Sequence, residues 1–121
     1  MDTASEMMAA MRAREADASR LNLLLLEGLA GGSLTKEEAR SALLAAAHAA
    51  HVAFPQYAGH WDGWGIGMVQ RSIHTKAGFA FSMGDLALFQ VTRVMGRTRV
   101  TAYSMRTGVD TSIDAWDIAE F

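Results

Sequence analysis

A single proline, Pro55, divides the chain into two halves with different patterns. Before it, no glycine or proline interrupts residues 3–27, so nothing breaks the backbone over about seven helical turns. After it, β-branched and aromatic residues come in short runs punctuated by glycine. Helices first and strands second is the α+β pattern. With 121 residues, half of them apolar, the chain is expected to form one domain with a real core. It has no cysteine, which excludes a disulfide framework, thiolate metal sites and a cysteine nucleophile.

The first half predicts a helical hairpin over residues 1–54. Thr3-Ala4-Ser5-Glu6 matches a capping box, in which the Thr hydroxyl and the Glu carboxylate each satisfy a backbone N–H. Met7, Met11, Arg14, Ala18, Leu21, Leu25 and Gly28 then follow a 4-3 spacing, a heptad seam interrupted by Arg14. Leu23, Leu24 and Leu26 widen the apolar face, so the second half of this helix reads as core. Its Met-rich first half reads as a projecting face or a homodimer seam. Gly28 and then Gly31-Gly32 are the expected stop. A second capping box, Thr35-Lys36-Glu37-Glu38, starts a helix that should run to residue 52 or 53. Ala39, Ala42, Leu43, Ala46, Ala50 and Ala53 form a stripe of small side chains, which lets the two helices pack closely.

Residues 55–65 form a Gly/Trp-rich connection, and residues 66–121 a small β domain packed with the helices as one unit. Strands are expected at residues 66–74, 79–81, 86–94, 98–105, 109–113 and 118–121. Gly84-Asp85, Gly96-Arg97 and Thr107-Gly108 are the turns, and Gly96-Arg97 fits a type II′ hairpin. Residues 114–117 read as one helical turn. In its early turn before a strong apolar strand, its hairpin at Gly96 and its helical turn before the last strand, this region resembles the small SH3-like β-barrel domains. The resemblance implies an antiparallel SH3-like β-barrel or curved sheet. It also implies a binding module for peptides, proteins or nucleic acids.

Charge is unevenly placed. Residues 1–70 carry −3, residues 71–106 carry +5 and residues 107–121 carry −4. The basic stretch offers Arg71, Lys76, Arg93, Arg97 and Arg99 as a nucleic-acid surface. Arg97 and Arg99 alternate outward near a hairpin tip, where they can grip phosphates. Phe79, Phe81, Phe89 and Tyr103 lie among them and can stack on bases. The competing reading puts the phenylalanines in the core and pairs the arginines with Asp110, Asp114, Asp117 and Glu120.

Two other constellations stand out. His48 and His51 share a helix face, and with His60 and Asp62 they make a possible divalent-metal set. Without HExxH or a short loop to fix geometry, a polar helix face is the plainer reading. Residues 59–67 hold four glycines with Trp61 and Trp64. Exposed, these rings would be binding hot spots; otherwise they plug the gap between helices and sheet. Met7, Met8 and Met11 offer an adaptable apolar contact. Met7, Met8, Met11, Trp61 and Trp64 are therefore the expected partner-binding residues.

No Gly-x-Ser-x-Gly elbow, phosphate loop or dinucleotide fingerprint is present. Ser72, Ser82, Ser104, His74 and Asp85 supply triad residue types, as almost any chain of this length does. The expectation is a small non-catalytic interaction or regulatory protein without a cofactor. A protein partner is preferred, with nucleic acid and a divalent metal as alternatives. Such a chain suits a phage or mobile-element product that docks on a host protein. No stretch reaches ~18 apolar residues, and the acidic start lacks a secretory pattern, so the reading is cytoplasmic and off the membrane.

Overall fold

The computed structural model describes residues 3–50, 63–76 and 78–121, with backbone alone for residues 3–5, 7–15 and 50. Helix α1 spans Thr3–Gly31 and α2 spans Lys36–Ala50. Seven strands follow: β1 Gly65–Val69, β2 Ile73–Thr75, β3 Gly78–Phe81, β4 Leu86–Val94, β5 Arg97–Tyr103, β6 Asp110–Ile113 and β7 Ile118–Glu120. A single 3₁₀ turn, Ala115–Asp117, precedes β7. The protein is α+β, with two N-terminal helices before an antiparallel sheet.

Helix α1 runs through Gly28 instead of stopping there. Gly28 serves close approach: a Cβ at that position would lie 2.5 Å from Leu34 Cδ1. The Gly28 carbonyl also accepts from the Leu34 N–H at 3.0 Å, which folds the chain back. The stop comes at Gly32, whose φ of 76° is the left-handed conformation that favours glycine after a helix. The capping box of α2 forms as the residues require. Thr35 N–H donates to Glu38 Oε1 at 3.0 Å, and Glu38 N–H donates to Thr35 Oγ1 at 3.1 Å. These bonds hold the Glu38 carboxyl below its usual range, led by the backbone donor. The expected end of α2 at residue 52 or 53 lies outside the described residues.

The main sheet has the order β6-β5-β4-β1-β7, all antiparallel, and β2 and β3 form a separate hairpin. β6 and β7 are both edges, so the sheet stays open between them. Both of its faces are covered near β1 and the first half of β4. Alternate residues of β4 therefore go to different cores. Leu86 and Leu88 pack with Leu25, Ala39, Leu43, Ala47, Trp64, Ile66 and Tyr103 beneath the helices. Ala87 and Phe89 pack on the other side with Val69, Ile73, Ala80, Phe81, Val100, Ala102 and Ile118. The inward stripe of α2 is Ala39, Leu43 and Ala47, each fully buried at i, i+4 spacing.

Three details of the sequence reading need correction. Residues 66–74 are two strands, because the chain leaves β1 after Val69 and re-enters pairing at Ile73. The β4–β5 turn is Met95-Gly96 with Val94 opposite Arg97, so it sits one residue earlier than Gly96-Arg97. Both turn residues have positive φ, 52° and 77°, the type I′ pattern. Leu23 and Leu24 are not core: each is 57% exposed, while Leu26 is partly buried against the helical core.

Candidate functional site

The β4–β5 ribbon outgrows the sheet that carries it. β1 pairs with β4 only as far as Phe89, and β6 pairs with β5 only from Val100 onward. Among the described residues, residues 90–99 form a free two-stranded ribbon joined by their own ladder. They contain Arg93, Arg97 and Arg99 and no carboxylate. All three arginines are exposed, and none has an ion-pair partner among the described residues. Val91, Val94 and Met95 are exposed beside them. Val94, Met95, Arg97, Thr98 and Arg99 border an open groove of about 600 Å³. The site therefore combines fixed positive charge with apolar surface on a narrow projecting element.

The other candidate basic residues are placed differently. Arg71 is held by Asp117, with Nε donating to Oδ1 at 2.5 Å and Nη2 donating to Oδ2 at 3.2 Å. Asp117 is 1% exposed and also accepts from the Asp114 N–H at 2.9 Å. Arg71 and these neighbours hold its carboxyl below the usual range, and Arg71 in turn is shifted up by Asp117. This pair lines a shallow recess of about 160 Å³ with Ile73, Ser112, Ile113 and Asp114. Arg71 is thus a structural ion-pair member, apart from the ribbon. Lys76 is exposed in the β2–β3 turn.

Arg106, which carries part of the +5 charge, is also committed. Its Nε donates to Asp85 Oδ2 at 2.7 Å, its Nη2 to Asp85 Oδ1 at 3.0 Å, and its Nη1 to Ser19 Oγ at 3.1 Å. It also lies 5.3 Å from the Phe79 ring centre, a cation–π contact. Of the candidate triad residue types, Ser82 meets Asp85 through its backbone N–H at 2.9 Å, and Ser104 and His74 are engaged elsewhere. Ser104 donates its hydroxyl to the Ala80 carbonyl at 2.6 Å, Asp85 is held by Arg106, and His74 packs its ring on Phe79 at 4.9 Å.

Trp64 belongs to the core. It is 3% exposed, packed with Leu43 and Tyr103, so its ring presents no contact surface to a partner. Trp61, and the side chains of Met7, Met8 and Met11, lie outside what is described. His51, His60 and Asp62 do as well, and His48 is partly buried on α2. No cluster of three metal-ligating side chains occurs among the described residues. No described helix is long and apolar enough to cross a membrane.

Two exposed features went unremarked in the sequence reading. Trp116, in the 3₁₀ turn, is 75% exposed, and Met95 at the ribbon tip is 97% exposed. Met95 carries no turn signal, since the first place of a two-residue type I′ turn ordinarily holds Asn, Asp or Gly. No family model, curated protein or solved structure matches the chain.

Proposed function

We propose that this protein is a small non-catalytic interaction module that binds an anionic macromolecular partner through the β4–β5 ribbon. The observation that carries this reading is the free stretch of residues 90–99. Three exposed arginines stand there, without a carboxylate between Asp85 and Asp110. Elsewhere the arginines of the β region are spent internally, Arg71 on Asp117 and Arg106 on Asp85. The connectivity also supports the likeness to SH3-like domains. A hairpin sits in the β1–β4 connection, a 3₁₀ turn precedes the last strand, and that strand returns beside the first. Such domains serve as binding modules, which is fold-level analogy.

A protein of net charge −2 is held by an anionic matrix only through a local basic patch. Retention on heparin resin, with elution in a salt gradient, tests the reading. Wild-type protein should elute at higher salt than Arg97→Ala/Arg99→Ala. Flow-through of the wild type at low salt would sink the proposal.

A second reading is favoured by Leu23 and Leu24, adjacent and half-exposed on α1. They would seat a protein partner, including a second copy along the helix. Light scattering checks the self-pairing case: a doubled mass that falls to one copy in Leu24→Glu supports it, and a single-copy mass at all concentrations removes it.

A further inference from the structure

The ribbon ends in a residue its own turn disfavours. Met95 has φ 52°, and among the described residues it is the only non-glycine with positive φ. A type I′ turn ordinarily takes Asn, Asp or Gly at this place, because longer L side chains strain there. Met95 also gains no burial in return, at 97% exposure. An unfavourable backbone state that presents an apolar side chain to solvent points to a contact made outside the chain.

The arginines stand on both faces of the ribbon. The pairs Thr92↔Arg99 and Val94↔Arg97 put Arg97 and Arg99 on one face, and Arg93↔Thr98 puts Arg93 on the other. A flat anionic surface meets only one face of a ribbon. A groove between two anionic walls meets both. The major groove of B-DNA, about 12 Å wide and 8.5 Å deep, admits a two-stranded ribbon. The three outermost cross-strand pairs span about 6.8 Å and the Met95-Gly96 turn adds about one further residue rise, enough to reach that depth. With the ribbon axis along the depth of the groove, Arg99 stands about 6.8 Å nearer the rim than Arg97.

We infer that the ribbon enters a groove of duplex DNA. Arg97 and Arg99 contact phosphates of one wall, Arg93 contacts the other, and Met95 makes the leading apolar contact with base edges. This rests on the ribbon being the binding surface, as proposed above. A-form RNA presents a deep, narrow major groove closed to side chains, so duplex RNA does not substitute.

Fluorescence anisotropy of the full chain tests this against four labelled probes: a mixed-sequence DNA duplex, its single strand, the matching RNA duplex and polyglutamate. The DNA duplex should bind about tenfold or more tighter than the others. The logarithm of its affinity should fall with log salt at a slope of about −3, as for three phosphate contacts. Arg93→Ala/Arg97→Ala/Arg99→Ala should lose duplex binding with its thermal unfolding unchanged. Met95→Asn, which suits the turn, should keep the salt slope and weaken duplex binding several-fold. Equal binding of all four probes would overturn groove entry while leaving the ribbon as the surface. Absence of binding to any probe, or unchanged binding in the triple variant, would overturn both readings. Wild-type affinity in Met95→Asn would overturn the tip contact.

Discussion

Arg71 and Asp117, 46 positions apart in the chain, are joined by two parallel hydrogen bonds that tie the end of β1 to the 3₁₀ turn before β7. The Asp117 carboxyl is 1% exposed and held below the ordinary carboxylate range, first by Arg71. A depressed acid stabilises the fold while the acid is ionised. The contribution is present above its unfolded value of about 3.9 and is lost as pH falls further. Arg71 is shifted up, so it stays charged across this range and adds no step there. Melting temperature followed by circular dichroism should be flat from neutral pH to about 5 and drop below about 4. Asp117→Asn should melt lower at neutral pH and show a smaller acid drop. An acid drop as large as the wild type's would show that this pair does not govern it.

The Arg106–Asp85 pair is more enclosed, with side chains 12% and 9% exposed. Removing the arginine leaves a buried carboxylate whose remaining named donor is the Ser82 N–H at 2.9 Å. Arg106→Met should cost about 3 kcal/mol by urea denaturation. Asp85→Asn/Arg106→Met should recover part of that loss, since the uncompensated charge is gone. Full additivity of the two single changes would refute the coupling.

Gly67 faces the last strand so closely that a Cβ would lie 2.8 Å from Ile118 Cγ1 and 2.9 Å from the Ala119 carbonyl oxygen. One of these is backbone and cannot rotate away. Gly67→Ala should cost about 2 kcal/mol. Gly65→Ala is the control, because its nearest neighbour would be Phe89 Cε1 at 3.4 Å, ordinary contact. Equal midpoints for the two variants would argue against β1–β7 crowding.

Met95→Asn should raise stability by about 0.5–1 kcal/mol, because Asn adopts the left-handed conformation at lower cost than Met. The gain is read from the urea midpoint at unchanged slope. A loss of stability would mean that Met95 makes contacts inside the fold.

Much of the architecture is legible locally. Strand β4 occupies residues 86–94 as its composition suggests, and Thr35 with Glu38 forms the cap its spacing implies. What the pattern misses is long-range. Nothing near Val69 says that the strand must end there. The Gln70 N–H is drawn to the Asp117 carbonyl at 2.7 Å, and Arg71 turns to the Asp117 side chain. Leu23 and Leu24 are apolar, yet they fall on the side of α1 away from Ala18 and Leu25, so periodicity mattered more than composition. The hairpin turn falls one residue before the place the sequence suggests, because Met95 occupies a position where Asn or Asp would announce it. The candidate site was visible as charge alone. Which arginines are free depends on Asp85 and Asp117, partners 21 and 46 residues away.

The placement of β1 between β4 and β7 constrains how the chain is made. Residues 65–69 cannot satisfy both of their edges until residues 118–120 have left the ribosome. The layer beneath Leu43 and Ala47 does not depend on β7, since Ile66, Leu86, Leu88 and Tyr103 supply it. A chain cut before Ile118 should therefore keep the helices and β4–β6 but present one edge of β1 unpaired, a ready template for a strand from another molecule.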